Sequence, residues 1–218
     1  MTKTEFEATL KPTRFIDSDS PVAAAFVEEH AGTGEPIERA VRLYLAVRDR
    51  IRYDFFAFEL VPEVFVGSNA LQAEAGVCIP KAVALATAAR AAGIPARIGF
   101  ADVKNHLASP RILALMETDL FRWHAFTEMH LEGRWVKATP AFDAELCRRF
   151  GVVPLAFDGR SDSVFHEFTS GGARHMEYVM QRGSFDDVPY DTLATDLQAY
   201  YPRLLEAMAA DRATRTRA

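Results

Sequence analysis

The chain has 218 residues, of which 49% are hydrophobic and 25% charged, and its net charge is −5 at neutral pH. This composition is typical of a folded globular protein and excludes a chain that is disordered throughout. The net charge excludes the overall basic field that binds nucleic acid or anionic lipid, and no apolar run reaches the ~18–20 residues of a membrane helix. We therefore expect neither a nucleic-acid partner nor a membrane partner.

The two cysteines, Cys78 and Cys147, form no Cys-x-x-Cys pair. A disulfide framework and a structural zinc site are therefore not expected. The N-terminal segment also lacks the basic-then-apolar order of a signal peptide. These features favour a reduced cytoplasmic location.

Helix start signals mark the first part of the chain. Ser20-Pro21, an N-cap followed by proline, predicts a helix over residues 21–31. The further elements expected here are a helix over 36–52, a loop with a short strand over 53–66 and a short helix over 70–75.

The alanine-rich run 78–92 predicts a buried central helix that Gly93 ends. Two alternating segments, 122–131 and 134–138, predict a β-hairpin whose two-residue turn is Glu132-Gly133. The other elements expected are a strand over 94–103, a short helix near 112–116, a helix over 142–150, short strands over 164–168 and 176–180, and a terminal helix over 190–210. Together these elements predict one α+β domain that covers residues 1–218.

Cys78 lies at the start of the central helix, and His124 lies in the first strand of the hairpin. Unpaired N–H groups and the positive end of the helix dipole favour a thiolate at such a position. The alternative for Cys78 is a small buried hydrophobe, which is our interpretation of Cys147. A cysteine and a histidine in this arrangement indicate nucleophilic acyl transfer.

Four segments together resemble the transglutaminase-like superfamily. They are Gly76-Val77-Cys78, Arg90-Ala91-Ala92-Gly93-Ile94-Pro95-Ala96-Arg97, Trp123-His124-Ala125-Phe126-Thr127-Glu128 and Gly133-Arg134-Trp135. The resemblance implies a papain-like α+β core over roughly 36–145, with the N-terminal helices and the C-terminal helix packed around it. The helix that carries Cys78 would pack on an antiparallel sheet that carries His124.

The family usually has Asp-Pro after the Gly-x-Trp strand, and that aspartate orients the histidine, whereas this chain has Thr139-Pro140. In a hairpin with this two-residue turn, the numbers of any two residues that face each other across the strands sum to 265. Thr139 and Asp143 are therefore the diagonal neighbours of His124. Thr139 is then the positional equivalent of the aspartate. Asp143 is its possible chemical substitute, and both remain open.

An oxyanion needs hydrogen-bond donors at the point where the charge develops. The backbone N–H of Cys78 is one candidate. Gln72, six residues earlier, is a second, because a papain-like site has a glutamine at similar spacing. The alternative for Gln72 is an exposed helix residue.

The resemblance implies thiolate attack on a peptide or protein amide through a thioester, followed by hydrolysis or by transfer to an amine, as in a protease, an amidase or a transglutaminase. This chemistry needs no cofactor. The alternative is a transglutaminase-like module without catalytic activity that serves as a binding or scaffold domain. The sequence carries no signal for oligomeric state.

Overall fold

The computed structural model describes residues 2–165 and 175–215. Its α-helices are α1 (Lys3–Ala8), α2 (Pro21–His30), α3 (Pro36–Arg50), α4 (Gly67–Gln72), α5 (Cys78–Ala91), α6 (Pro110–Met116), α7 (Ala144–Phe150), α8 (Tyr190–Tyr200) and α9 (Pro202–Arg215). Its strands are β1 (Arg52–Tyr53), β2 (Ala75–Gly76), β3 (Ala96–Asn105), β4 (Leu120–Leu131), β5 (Arg134–Ala138) and β6 (Met176–Phe185). Two short 3₁₀ helices, Phe55–Ala57 and Pro62–Phe65, lie between β1 and α4.

The main sheet has the order β5-β4-β3-β6, and each neighbouring pair is antiparallel. The hairpin register is the predicted one, since Leu131 faces Arg134 and Thr127 faces Ala138. Its turn residues Glu132 and Gly133 both have positive φ, 48° and 83°, as a type I′ hairpin turn requires. The separate pair β1-β2 is parallel and leads the chain into α5.

Helix α5 lies at the centre of the fold. All of its residues from Ile79 to Arg90 are buried, because alanine side chains let neighbouring elements approach closely. Helix α4 approaches so closely that a Cβ on Gly67 would lie 1.9 Å from Thr87 Oγ1. On the other side, the Thr127 hydroxyl of β4 donates to the Ala82 carbonyl of α5 at 2.7 Å. The predicted α+β fold, with the cysteine helix packed on an antiparallel sheet, is confirmed.

Two details differ from the sequence predictions. The terminal helix is two helices, since Tyr201 leaves the helical region before Pro202, a residue that disfavours α conformation in its predecessor. The short helix before Cys78 runs over Gly67–Gln72 and gives way to β2. The short strand expected over 164–168 falls largely outside the described residues. None of the described helices is long and apolar enough to span a membrane.

Candidate active site

Cys78 is the first residue of α5, and the residue before it, Val77, has no side chain that can cap the helix. Three backbone N–H groups, those of Ala125, Ile79 and Cys78 itself, lie close enough to the thiol to lower its pKa. Burial acts in the opposite direction and is the larger effect, so the net result is a raised thiol pKa. Cys78 as a residue is half-buried, whereas Cys147 is buried.

His124 is a buried residue of β4. Its ring lies 5.5 Å from the Phe165 ring and 6.2 Å from the Tyr178 ring, measured between centroids. Cys78 packs against two hydrophobic clusters of the described residues, and one of them contains Phe165. Cys78 and His124 line the same pocket. The structure therefore brings together the two residues that the sequence singled out.

Burial lowers the pKa of His124 to about 4, since a desolvated imidazolium is costly. Within the described part of the chain, His124 Nε2 has no hydrogen-bond partner. The imidazole is therefore neutral at pH 7 and free to accept a proton. The lowered pKa of His124 and the raised pKa of the Cys78 thiol together favour a neutral thiol–imidazole pair at rest. Burial therefore affects the thiol more than the positive end of the helix dipole does.

A β-bulge sets the position of His124. His124 faces Ala101 of β3, and Phe121 faces Val103, so Arg122 and Trp123 together oppose the single residue Asp102. Trp123 takes φ of +60°, which costs a bulky side chain about 1–3 kcal/mol. The bulge changes the direction of β4 immediately before the histidine.

The strained backbone of Trp123 is held by polar contacts on several sides. Its N–H donates to Asp102 Oδ1 at 3.1 Å, and its indole N–H donates to Asp196 Oδ2 at 2.6 Å. Arg182 pairs with Asp102, with Nη2 at 2.8 Å from Oδ2, and its guanidinium lies 4.5 Å from the centre of the Trp123 ring. No local pattern in the sequence predicts this arrangement, because its members come from four distant segments, β3, β4, β6 and α8.

Thr139 is buried beside Tyr178. Its Oγ1 makes no hydrogen bond among the described residues, and neither does His124 Nε2. Burial raises the pKa of Tyr178 to about 12, while the Phe165 N–H and Thr139 act in the opposite direction. The orienting role of Thr139 therefore stays a prediction.

Asp143 has a different role from the one considered in the sequence analysis. Its Oδ2 accepts the Tyr53 N–H at 2.7 Å, and its Oδ1 accepts the Leu146 N–H at 2.8 Å as the N-cap of α7. The ladder between β4 and β5 ends at Ala138, after which Thr139 N–H donates to the Ser163 carbonyl. Asp143 is thus a cap and a loop anchor, and among the described residues no hydrogen bond joins it to His124.

Gln72 is the exposed helix residue that the sequence analysis gave as the alternative to an oxyanion donor. It is exposed in the last turn of α4, and its amide donates to the Ser68 carbonyl of the same helix at 3.2 Å. It does not line the pocket of Cys78. The donors that the structure places near the sulfur are the backbone N–H groups named above. The N–H of Cys78 was expected from the helix start, whereas that of Ala125 needs the tertiary contact of α5 with β4.

The residues 24–140 match the family model of the transglutaminase-like superfamily. None of the curated proteins matches the chain. Among solved structures, a proposed cysteine protease from Cytophaga hutchinsonii is similar at a TM-score of 0.53 and 15% identity. The similarity covers 85% of this chain and 48% of that one, so this chain spans about half the length of that protein. The fold and the matched segment, which is more than half of the chain, show that the protein belongs to the transglutaminase-like superfamily.

Proposed function

We propose that the protein is a cysteine-dependent hydrolase or acyltransferase that acts on peptide-like amides. The observation that supports this proposal most directly is that Cys78 and His124 line one pocket at the start of α5. Backbone N–H groups that no side chain caps lie close to the thiol there. Membership of the transglutaminase-like superfamily supports a cysteine-based enzymatic function in general. The free state of both cysteines agrees with a reduced compartment, and we propose the cytoplasm.

The reaction begins with neutral groups. As Cys78 Sγ attacks the carbonyl carbon, its proton passes to His124, and the carbonyl oxygen becomes an oxyanion. Backbone N–H groups at the start of α5 stabilise that charge. When the carbon–nitrogen bond breaks, the imidazolium returns its proton to the leaving amine, and a thioester on Cys78 remains.

Water or an amine then resolves the thioester. Attack by water gives a carboxylic acid, as in a protease or an amidase, and attack by an amine gives a new amide, as in a transglutaminase. In both cases His124 takes the proton of the attacking group and passes it to the departing thiolate. The substrate partner that we propose is a peptide or protein amide.

Trapping of the thioester tests this proposal. Wild type treated with p-nitrophenyl butyrate is expected to gain one butyryl group on Cys78, which intact mass and peptide mapping detect. Cys78→Ser is expected to gain none on that peptide. Cys147→Ser serves as the matched control and should be acylated like wild type, because Cys147 is buried and does not line the pocket of Cys78. A wild type that stays unmodified and also releases no p-nitrophenolate above the spontaneous rate would contradict the proposal.

One observation favours a second candidate, a binding module without catalytic activity. No carboxylate within the described residues is hydrogen-bonded to His124, and Thr139 stands where the family has aspartate. Such a module would bind a peptide in the pocket without forming a thioester. Binding of a peptide amide with no acylation by the ester would support this candidate over the enzyme.

A further inference from the structure

The pocket of Cys78 and His124 extends beneath the two C-terminal helices. Helix α8 contributes Leu197, and α9 contributes Leu204 and Met208. These helices lie outside the segment 24–140 that matches the family model. The facing side of the pocket is formed by apolar residues of other elements, namely Phe58, Val103, Met116 and Phe121.

Several polar groups on this lining are paired within the protein. The Tyr201 hydroxyl donates to the Leu120 carbonyl at 2.7 Å and accepts the Arg122 N–H at 2.9 Å. The Arg122 guanidinium pairs with Asp196, as does the indole N–H of Trp123. No acidic side chain is among the described residues that line the pocket. The surface offered to a ligand beyond Cys78 and His124 is therefore mainly carbon.

A second groove adjoins the pocket on the other side of Tyr53 and Phe142, which line both. Its lining includes Arg52, Ser109 and Arg149, so it is more polar. A substrate that reacts at Cys78 can place its apolar part beneath α9 and its polar leaving group in this groove.

We propose that the pocket beneath α8 and α9 binds the acyl part of the substrate, and that this acyl part is uncharged and apolar, either aliphatic or aromatic. This inference rests on the proposed function, since it assigns a substrate class to the same cysteine. Each methylene buried in such a pocket raises the rate of acylation by about fourfold. A carboxylate or carboxamide at the same depth loses its water without finding a partner, which lowers the rate by about tenfold or more.

The test uses the full chain and p-nitrophenyl esters of acetate, butyrate and hexanoate. In each reaction the Sγ–acyl bond forms, the ester C–O bond breaks, p-nitrophenolate leaves and the thiol proton passes to His124. We expect the second-order rate of acyl-enzyme formation, corrected for spontaneous hydrolysis, to rise about 10²-fold from acetate to hexanoate, which adds four methylenes. The p-nitrophenyl hemiester of adipate, which has six acyl carbons and a terminal carboxylate, should react about tenfold more slowly than the hexanoate.

Two variants of α9 test whether the preference for hexanoate over acetate arises at this helix. Met208→Gln is expected to reduce the preference for hexanoate over acetate by about fourfold, because an amide replaces a buried thioether in the lining. Ala210→Gln is the matched control, since Ala210 is exposed on the same helix and does not line the pocket. If Met208→Gln does not fold, the wild-type ester series decides the question.

The two proposals fail in different ways. Equal acylation of Cys78 by all the esters, the adipate included, would overturn the apolar acyl pocket and leave the cysteine chemistry standing. Rapid acylation by the adipate and slow acylation by the hexanoate would overturn it too. Absence of acylation by every ester would overturn both proposals.

Discussion

Helices α5 and α7 begin in opposite ways. At α7 the carboxylate of Asp143 accepts a backbone N–H of the first turn and serves as an N-cap. At α5 the N-cap position is held by Val77, and the N–H groups there act on the Cys78 thiol instead. A helix start whose donors are not taken by a cap is available to stabilise charge that develops during a reaction.

The two cysteines differ in their positions on these same two helices. Cys78 opens α5 on the wall of the pocket, whereas Cys147 is buried in the middle of α7. Both thiols have a raised pKa, for which burial is the first cause. The difference between them therefore lies in access and in neighbouring donors, not in the direction of the pKa shift.

The largest expected effect is a contrast in alkylation. Iodoacetamide at pH 8 should modify Cys78 about 10²-fold or more faster than Cys147, since a buried thiol reacts only after local opening. Peptide mapping over time measures both rates in one sample. Similar rates would show that Cys78 has no advantage in access or activation.

A cap introduced at α5 should impair catalysis. The hydroxyl of Val77→Thr can accept an N–H of the first turn, and it would compete with the oxyanion for that donor. We expect acylation to fall about 10- to 100-fold, with little change in Tm. Val77→Ala shortens the side chain without adding an acceptor, so its acylation should remain well above that of Val77→Thr. Equal losses in the two variants would mean that shape, not the cap, matters.

Removal of the cap at α7 should affect stability more than activity. Asp143→Ala is expected to lower the free energy of unfolding by about 1–2 kcal/mol, as measured by urea denaturation. Asp143→Asn retains an oxygen for the cap and should lose less. If Asp143→Asn were stable but about 10²-fold slower in acylation, Asp143 would be the residue that orients His124.

The smallest effect is expected at Gln72. Because its side chain is exposed and lies outside the pocket, Gln72→Ala should change acylation by less than about twofold, within the range of ordinary surface substitutions. The assay is acyl-enzyme formation from p-nitrophenyl butyrate. A loss of tenfold or more would restore Gln72 as an oxyanion donor.

Local patterns accounted for the central helix and the hairpin. An alanine-rich run closed by Gly93 carries its own start and stop signals, and the Glu132-Gly133 turn fixes the pairing of every residue in the hairpin. The pairing stops before Pro140, where the chain turns to Ser163. The ladder therefore ends before the position at which Asp143 would stand diagonal to His124.

Contacts between distant segments could not be predicted from local sequence patterns. The positive φ of Trp123 depends on Asp102, Arg182 and Asp196, and tryptophan itself gives no signal for such a conformation. The pocket wall at Met208 likewise depends on where α9 packs. The break between α8 and α9 did have a signal in Pro202, which the helical periodicity concealed.

The most direct test of the central claim is the pH dependence of Cys78 acylation in wild type and His124→Ala. Because the pKa of His124 is about 4, its imidazole is a neutral base through the neutral range. Wild-type acylation should therefore fall only as the pH drops towards about 4, instead of near the ordinary value of 6.5.

His124→Ala should be about 10²- to 10⁴-fold slower at pH 7 and recover only at alkaline pH, where the thiol ionises without help. His130→Ala is the control, because His130 lies on the same strand outside the pocket. Identical pH profiles and rates in wild type and His124→Ala would contradict the claim that Cys78 and His124 act as a catalytic pair.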